Sequence, residues 1–394
     1  MISRAEVLSL RGEWQVDAQV IEKDHALGWL LAGIANEPRL ASWVFKGGTC
    51  LRKCYFETYR FSEDLDFTVL PGGVIDPAEL EEIFHTVAMW VREESGVEFI
   101  VDAQSFRARR NQRGNATTQG SIAFRGPLAQ PAPAKIKLDL STDELVALPP
   151  EPREVAHPYG DAMRAGDSPS VCVVRSYPLV ELFVEKLRAL AQRCRPRDLY
   201  DVVHTHRHAD VAGRADEVAA VLARKCSFVG IEPPTAATIR ASGQLDELVH
   251  DWNSMLAHQL PQLPDPQVFL TQLDEVFAWL AGQRAVTALR SAPIDSGDVA
   301  VRPRSTVRWR AGAPIELLRF AGANRLRVDV DYRAANGRWG WRRVEAYALR
   351  RTSAGALVVF VVNERGLPRT YRLDRIRDIR VTGQPFIPRY RIEM

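Results

Sequence analysis

The sequence contains no apolar stretch long enough to cross a membrane, and its cysteines are few. No apolar run reaches the roughly eighteen residues that a transmembrane helix needs, and the polar start (MISRAEVLSLRGEW) does not have the character of a signal peptide. The five cysteines form no closely spaced framework of even number, which argues against a disulfide scaffold. These absences predict a cytoplasmic protein with reduced thiols and no membrane partner.

One kind of positive charge is also missing from part of the chain, because residues 301–394 contain no lysine. They contain 21 arginines and 8 acidic residues, a net charge of +13, so the rest of the chain carries −10 within the overall charge of +3. A basic region attached to an acidic body predicts contact with a polyanion such as nucleic acid. A general preference for arginine in the source organism would explain the same composition equally well.

Hydrophobic periodicity divides the 394 residues into three regions, as expected for a chain too long for a single core. Residues 1–150 alternate helical stretches with short apolar strands, whereas residues 151–284 are mainly helical. After a linker at residues 285–305, residues 306–394 contain β-rich runs separated by glycine turns, which predicts a small β-barrel. The strands predicted in the first region are Asp64–Leu70, Val97–Val101, Gly120–Phe124 and Ile136–Leu140, with a polar hairpin-like loop at Arg107–Gln119.

A glycine turn precedes two closely spaced aspartates in the first region. Asp64 and Asp66 are two residues apart on a predicted strand, so both carboxylates leave the same face. Carboxylate oxygens are hard ligands that suit Mg²⁺, which completes its shell with water and phosphate oxygens. Gly47 and Gly48 allow the backbone to approach a phosphate closely, next to the N–H groups of the following helix. The stretch therefore predicts nucleotide chemistry.

A third carboxylate is expected from another predicted strand. Asp139 lies two residues after Lys137, so the two side chains share one face of Ile136–Leu140. Together with Asp64 and Asp66, Asp139 would complete a site for two metal ions that clamp a phosphoryl group. It is also a candidate base for an attacking hydroxyl. The plainer interpretation is that Asp139 caps a turn at the end of its strand.

A second polar cluster lies on predicted helices after residue 178. Lys186 is suited to reach a triphosphate as a point charge, and Arg197 to grip it with two hydrogen bonds. Asp198 or Asp201 would orient Lys186 or contact a nucleotide, although Asp201 is also placed to pair with Arg197 one helical turn away. Tyr200 is expected either to stack on a base or to pack in the core.

Taken in order, these motifs resemble the AbiEii/AbiGii (MenT-like) nucleotidyltransferase toxins. The motifs are FKGGTCL at residues 45–51, RFSEDLDF at 60–67, EK at 185–186 and RDLYD at 197–201. The resemblance implies an α+β fold, with a polymerase-β-like nucleotidyltransferase core and a helical second half. It also implies that the protein is a toxin of a toxin–antitoxin pair.

The same resemblance implies roles for individual residues. Ser62, Asp64 and Asp66 match the nucleotide- and metal-binding motif, Lys186 a triphosphate-binding lysine, and Asp201 a late acidic residue needed for activity. The full set of predicted nucleotide-binding residues is Lys46, Gly47, Gly48, Thr49, Ser62, Lys137, Arg197 and Asp198.

The C-terminal region is similar to the later half of WYL domains. The similar segments are VEAYAL at residues 344–349, RTYRLDRIRDI at 369–379 and FIPR at 386–389. The resemblance implies a small SH3/Sm-like barrel of the kind linked to ligand or nucleic-acid sensing in bacterial defence regulators. The Trp-Tyr-Leu tripeptide that gives these domains their name is replaced by Ala346-Tyr347-Ala348.

The sequence thus predicts a Mg²⁺-dependent enzyme that moves a nucleoside monophosphate from an NTP to an RNA hydroxyl. The family resemblance favours the acceptor end of tRNA and adds an antitoxin protein as a partner. Two alternatives remain: a sensor or regulator that binds a nucleotide and a nucleic acid without turnover, and an enzyme that modifies a protein or a small molecule.

Overall fold

The computed structural model describes residues 1–56, 58–111, 113–161, 172–283, 289–293, 297–300 and 315–394. Most of the predicted linker at residues 285–305, and the first residues of the predicted barrel, lie outside these ranges. Among the described helices, none has the length and apolar character needed to cross a bilayer.

A seven-stranded sheet forms the centre of the body. Its strands are β1 (Trp43–Lys46), β2 (Asp64–Val69), β3 (Glu98–Arg110), β4 (Ala116–Arg125), β5 (Ala134–Ser141), β6 (Glu151–Glu154) and β7 (Val173–Ser176). They follow one another across the sheet in the order β3-β4-β5-β2-β1-β7-β6. Strand β2 is parallel to β5 and antiparallel to β1, so both neighbours of the predicted Asp64/Asp66 strand are fixed by backbone hydrogen bonds.

The β3–β4 hairpin is longer than its sequence predicts. Most of the predicted polar loop Arg107–Gln119 is strand, with β3 continuing to Arg110 and β4 starting at Ala116. Asn111 closes the turn, because its backbone N–H bonds to Asn115 O at 3.0 Å. Strand β3 is at the edge of the sheet, and the side chains at its end are exposed. This part of the strand therefore lacks the alternation of apolar and polar residues that predicts a strand.

Helices cover the sheet. Those of the first region are α1 (Arg4–Trp14), α2 (Ala18–Asn36), α3 (Gly47–Cys50) and α4 (Pro77–Ser95). The helix predicted at Val16–Asn36 begins at Ala18, after an Asp17 cap whose side chain accepts from Gln19 N. It is buried on nearly all sides rather than on one face, because it lies between α4, the sheet and the strand-connecting loops.

Strands β6 and β7 lie after residue 150 in the chain but belong to the first sheet. The helical region follows them. Its helices are α5 (Leu179–Arg193), α6 (Pro196–His206), α7 (Ala209–Ala212), α8 (Ala215–Val229), α9 (Ala236–Ala241), α10 (Leu245–Leu256) and α11 (Pro266–Leu280). Helices α5 and α6 pack together, and α5 carries a row of buried apolar residues on the side opposite its charged residues.

The C-terminal region is a second sheet with one helix. After β8 (Val299–Ala300) and α12 (Ile315–Asn324), its strands are β9 (Leu326–Arg333), β10 (Trp339–Arg351), β11 (Leu357–Asn363), β12 (Pro368–Arg372) and β13 (Ile376–Pro385). The order is β12-β11-β10-β9-β13, with β8 on β10. Within the described residues no pairing joins β12 to β13, so the region is an all-β sheet and the predicted closed barrel is not confirmed.

Helix α12, which the sequence did not predict, joins this region to the body. Asn324 Oδ1 accepts hydrogen bonds from Tyr200 Oη and His204 Nε2, each at 3.0 Å. Tyr200 is fully buried and stacks on His204 and Phe269. Of its two predicted roles, the structure therefore shows packing in the core.

Candidate active site

Four polar residues lie side by side across the middle of the first sheet. Gln119 of β4 is in register with Asp139 of β5, Asp139 with Asp66 of β2, and Asp66 with Lys46 of β1. Neighbouring strands are about 4.8 Å apart, so the two aspartates are immediate neighbours. Gln119 Nε2 donates to Asp139 Oδ1 at 3.0 Å and orients that carboxylate. We call these four residues the polar row.

Asp64 lies on the same face of β2 as Asp66, two residues earlier and in register with the exposed Lys137 of β5. The sheet therefore gathers the three predicted carboxylates from two parallel strands. Asp64, Asp66 and Asp139 do not bring three carboxylate oxygens within 4.8 Å of one another. This wider spacing fits ligation of more than one ion, or ligation partly through water, better than a single closed shell.

The electrostatics of the polar row favour a cation. The pKa of Asp66 is raised to about 6, chiefly by burial and with a smaller contribution from the charges of Asp139 and Asp64. Lys186 and Lys46 act in the opposite direction and favour the ionised form. The raised pKa means that the positive charges around Asp66 do not fully stabilise its ionised carboxylate. A divalent cation would supply the additional positive charge, and the carboxylates of the polar row are suitable ligands for it.

The glycine turn packs directly on this row. Gly47 has φ of +81°, and a Cβ added there would collide with the carboxylate of Asp66, whose Cγ would lie 2.9 Å away. A Cβ on Gly48 would fall 2.6 Å from Arg60 Nη2 and 3.1 Å from Ser62 Oγ. Glycine is therefore needed twice, because the backbone contacts both the carboxylate and the predicted phosphate-binding serine.

The hydroxyl of Thr49 has a partner within the protein. Its side chain is fully buried, and its hydroxyl donates to the carbonyl oxygen of Asp64 at 2.5 Å. This hydrogen bond ties α3 to the start of β2. The structure shows Thr49 positioning Asp64, and its predicted contact with a nucleotide stays a prediction.

Lys186 is held in place by buried carboxylates. Its Nζ lies 2.7 Å from Asp201 Oδ2 and 3.6 Å from Asp198 Oδ1. Arg60 binds both oxygens of Asp201, with two hydrogen bonds of 2.7 Å. Burial alone would raise the pKa of Asp201, but the charges of Arg60 and Lys186 hold that pKa well below its ordinary value. Asp201 therefore remains ionised and positions Lys186.

The remaining predicted residues of this cluster have other partners. Both carboxylate oxygens of Asp198 accept hydrogen bonds from Arg193, at 2.7 and 2.9 Å. The alternative pairing of Arg197 with Asp201 is not what the structure shows, because Arg60 and Lys186 take both oxygens of Asp201. Arg197 instead donates to Met255 O at 3.4 Å, so its role in gripping a triphosphate stays a prediction.

A cavity of about 600 Å³ opens between the polar row and α5, with Lys46, Gly47, Asp66 and Lys186 in its wall. The other charged and amide side chains that line it are Asn111, Arg113, Asp143, Glu144, Glu185, Arg188, Gln192 and Arg193. Its volume is in the range of small-molecule and cofactor sites. The cavity thus joins the glycine turn, one metal-ligand candidate and Lys186, the lysine predicted to bind the triphosphate.

Sequence reasoning gave no role to two charged residues at this site, Glu144 and Arg60. A carboxylate oxygen of Glu144 lies 3.4 Å from Lys46 Nζ and the other lies 3.3 Å from Arg188 Nη2, so Glu144 connects a cation of β1 to a cation of α5. Arg60 belongs to the RFSEDLDF motif, but its partner Asp201 is 141 residues away. The motif was a signal for Arg60, whereas no local pattern marks Glu144.

Clustered carboxylates suited to divalent cations, next to lysines at the wall of one cavity, fit the requirements of nucleotidyl transfer. A transferase of this class is also what comparison with protein families finds. The family described as nucleotidyl transferase AbiEii toxin, of type IV toxin–antitoxin systems, matches residues 29–281, nearly two-thirds of the chain. The chain belongs to this family of nucleotidyltransferase toxins. The WYL domain family matches residues 315–381. Both resemblances drawn from the motifs are thereby confirmed.

Two solved structures are similar over much of the chain. MenT4, a nucleotidyltransferase toxin from Mycobacterium tuberculosis H37Rv, has 20% identity and a TM-score of 0.47, over 72% of this chain and 91% of its own. Proteasome accessory factor B/C of Arthrobacter aurescens has 12% identity and a TM-score of 0.18, over 92% and 71%. A search of curated proteins finds no match. Both TM-scores are below 0.5, so the family assignment rests on the sequence match.

Proposed function

We propose that this enzyme transfers a nucleoside monophosphate from an NTP to an RNA hydroxyl, with Mg²⁺ as cofactor, and acts as a toxin by altering an RNA that the cell needs. The observation that supports the proposal most directly is the polar row. It puts Asp66 between Asp139 and Lys46, in the wall of a cavity that Lys186 also lines.

Asp64, Asp66 and Asp139 are the proposed metal ligands. Bound Mg²⁺ would neutralise charge that develops on the phosphates during transfer. Asp66 would lose its proton on binding a cation, because the charge of that cation would favour the ionised carboxylate. Asp139 is held by Gln119 and is the candidate to accept a proton from the attacking hydroxyl if it is not itself a ligand.

The chain's cations would hold the triphosphate. Lys186 enters the cavity in an orientation fixed by Asp201, and Lys46 enters from the end of β1. Ser62 and the Gly47-Gly48 backbone would contact phosphate oxygens where the turn packs on Asp66. Lys137, next to Asp64, is placed to extend this positive wall towards an acceptor.

An RNA acceptor is supported by the C-terminal sheet. Trp339 and Trp341 lie two residues apart on β10 and are 43% and 46% exposed, unusual for residues of this size. The guanidinium of Arg377 lies 4.5 Å from the centre of the Trp339 ring, and that of Arg380 lies 4.3 Å from Trp341. Exposed aromatic rings flanked by arginine suit single-stranded nucleic acid. The tRNA acceptor end and an antitoxin partner are carried over from the family.

Labelled-nucleotide transfer tests this function. The purified full chain is incubated with Mg²⁺, total RNA and each of four NTPs labelled at the α-phosphate. Label in an RNA band supports the proposal, and sequencing of that band identifies the acceptor. Label in protein instead identifies a protein-modifying enzyme. Absence of label from RNA, protein and small molecules, together with retained NTP binding, identifies a sensor. Asp64→Asn is the inactive control.

A further inference from the structure

Two histidines and an aspartate meet in a second place, away from the cavity. His25 lies on α2, while His157 and Asp161 lie on the segment that follows β6. One ligand atom from each of the three comes within 4.8 Å of the other two. Among the described residues, no other three His, Cys, Asp or Glu side chains bring their ligand atoms this close together. None of the three lines the cavity at Asp66.

The carboxylate of Asp161 is at the centre of this group. His25 Nε2 lies 2.7 Å from Oδ2, and His157 Nε2 lies 3.1 Å from Oδ1. Trp29 Nε1 donates to Oδ2 at 3.1 Å from the next turn of α2. Each imidazole therefore presents the same type of nitrogen to one carboxylate, which a third side chain holds in orientation.

The protonation states suit metal ligation. Burial lowers the pKa of His157, although its hydrogen bond to Asp161 opposes that change, so the ring is neutral at physiological pH. Burial would raise the pKa of Asp161, but hydrogen bonds from the two histidines hold that pKa well below its ordinary value. Neutral imidazole and ionised carboxylate are the forms that bind a metal. A bound ion would replace the Nε2 proton that each ring donates to Asp161, and that proton would move to Nδ1 of the same ring.

We propose that His25, His157 and Asp161 bind one divalent transition ion of the zinc class, at a site separate from the Mg²⁺ carboxylates. Two imidazoles and one carboxylate prefer Zn²⁺ to Mg²⁺, since Mg²⁺ favours oxygen ligands. Three protein ligands leave one position for water. The hydrogen bond from Trp29 would orient Asp161, as outer hydrogen-bond partners commonly orient metal ligands.

The ion would link α2 to the segment after β6, and α2 in turn contacts the residues that follow the glycine turn. Asp24, next to His25 on α2, accepts hydrogen bonds from Arg52 Nε at 2.8 Å and Lys53 Nζ at 2.7 Å. Both cations lie on the helical turns that continue α3 beyond the glycine turn. The metal is therefore inferred to stabilise the folded core, whereas the transfer chemistry belongs to the polar row.

Metal titration of the intact chain tests the site. The protein is prepared without a tag, because the Met1 amino group lies 3.4 Å from Asp161 Oδ2. It is stripped with a chelator and titrated with Zn²⁺, and with Co²⁺ as a visible-absorption probe, in excess Mg²⁺. We expect one ion per chain, a Kd of about 1 µM or tighter, and a higher Tm when Zn²⁺ is bound.

Three variants assign the ligands. Asp161→Asn keeps an oxygen that can accept from Trp29 but is a poor ligand, and His157→Gln removes one imidazole; each should weaken Zn²⁺ binding by about 100-fold or more. His250→Gln, at an exposed histidine on α10, should bind like the unmodified protein. Circular dichroism confirms folding. The proposal is overturned if the folded chain binds no stoichiometric ion, or if Asp161→Asn and His157→Gln bind it unchanged.

Discussion

Asp66 and Asp139 stand in register on the parallel strands β2 and β5, and Lys46 stands in register with Asp66 on its other side. The pairing of the strand backbones alone makes these two acidic residues and one lysine neighbours, whatever rotamers their side chains adopt. Because a one-residue slip of β2 would turn Asp66 to the opposite face, the register of the sheet is itself a requirement of the site.

Asp66→Asn should stabilise the metal-free protein while it abolishes transfer. The folded protein raises the pKa of Asp66 from 3.8 to about 6, so ionised Asp66 is unfavourable in the folded state. Neutral asparagine removes that cost, which we place at about 1–2 kcal/mol after allowance for solvent screening. Urea unfolding at pH 7.5 in the presence of chelator measures the difference.

The control for this effect is Asp102→Asn, an exposed aspartate on β3 of the same sheet. It should leave the free energy of unfolding within about 0.5 kcal/mol of the unmodified value. A less stable Asp66→Asn protein would show that Asp66 makes favourable contacts that the polar row does not account for.

The pH dependence of transfer should show an acidic limb near pH 6. Asp66 must lose a proton to bind a cation, so at Mg²⁺ concentrations below saturation kcat/KM should rise tenfold per pH unit below about 6 and level off above it. The stability of the metal-free protein should change in the opposite sense. The raised pKa of folded Asp66 stabilises the fold below pH 3.8, and this contribution is lost as pH rises to about 6. A transfer rate that is flat from pH 5 to 8 would contradict the assignment.

Gly47→Ala and Gly72→Ala form a matched pair. Both glycines have positive φ, +81° and +84°, so alanine carries a similar backbone penalty of about 1 kcal/mol at each. A Cβ at Gly47 meets the carboxylate of Asp66, whereas one at Gly72 meets nothing within 4 Å. Gly47→Ala should therefore lower kcat by about 100-fold or more, and Gly72→Ala should not. Similar activities in steady-state transfer assays would show that the turn does not shape the site.

Lys186→Met should affect both nucleotide binding and the pH profile. Loss of a charged phosphate contact should raise the KM for NTP by about 10- to 100-fold. Because Lys186 lowers the pKa of Asp66, its removal should also move the acidic limb above pH 6. Lys135→Met, at an exposed lysine early in β5, is the control and should change neither quantity. A higher KM with an unshifted limb would mean that Lys186 acts on the nucleotide without acting on Asp66.

Trp341→Ala should weaken RNA binding without weakening NTP binding. An exposed ring that stacks on a base contributes about 1–3 kcal/mol, so affinity for a single-stranded oligonucleotide should fall by about 5- to 100-fold. Leu367→Ala removes a similarly exposed apolar side chain, 44% exposed, from the tip of the β11–β12 hairpin and should have no effect. Fluorescence anisotropy at fixed salt measures both, and equal losses would exclude stacking as the cause.

The sequence predicted the site where the signal is local. The two-residue spacing of Asp64 and Asp66 and the glycines before them specify a strand face and a turn without knowledge of distant residues. Lys186 and Asp201 were both predicted because each belongs to a motif of the family, on α5 and α6 respectively. The structure shows what these residues do to each other, since Asp201 fixes Lys186 through a buried ion pair.

What the sequence did not predict depends on distant partners or on solvent exposure. Arg60 acquires its role from Asp201, 141 residues away, and Glu144 acquires its role from cations on β1 and α5. Thr49 was predicted to bind a nucleotide, and the hydrogen bond from its buried hydroxyl to the carbonyl oxygen of Asp64 had no signal in the sequence. The β3–β4 hairpin resembled a loop because its end is solvated on both faces.

The position of the label in the transferred group tests the central claim most directly. With NTP labelled at either the α- or the γ-phosphate, nucleotidyl transfer at the polar row should place the α label in RNA and release the γ label as pyrophosphate. Asp66→Asn should abolish both in the folded protein. Transfer of the γ label to the acceptor, or undiminished α transfer by Asp66→Asn, would contradict the account.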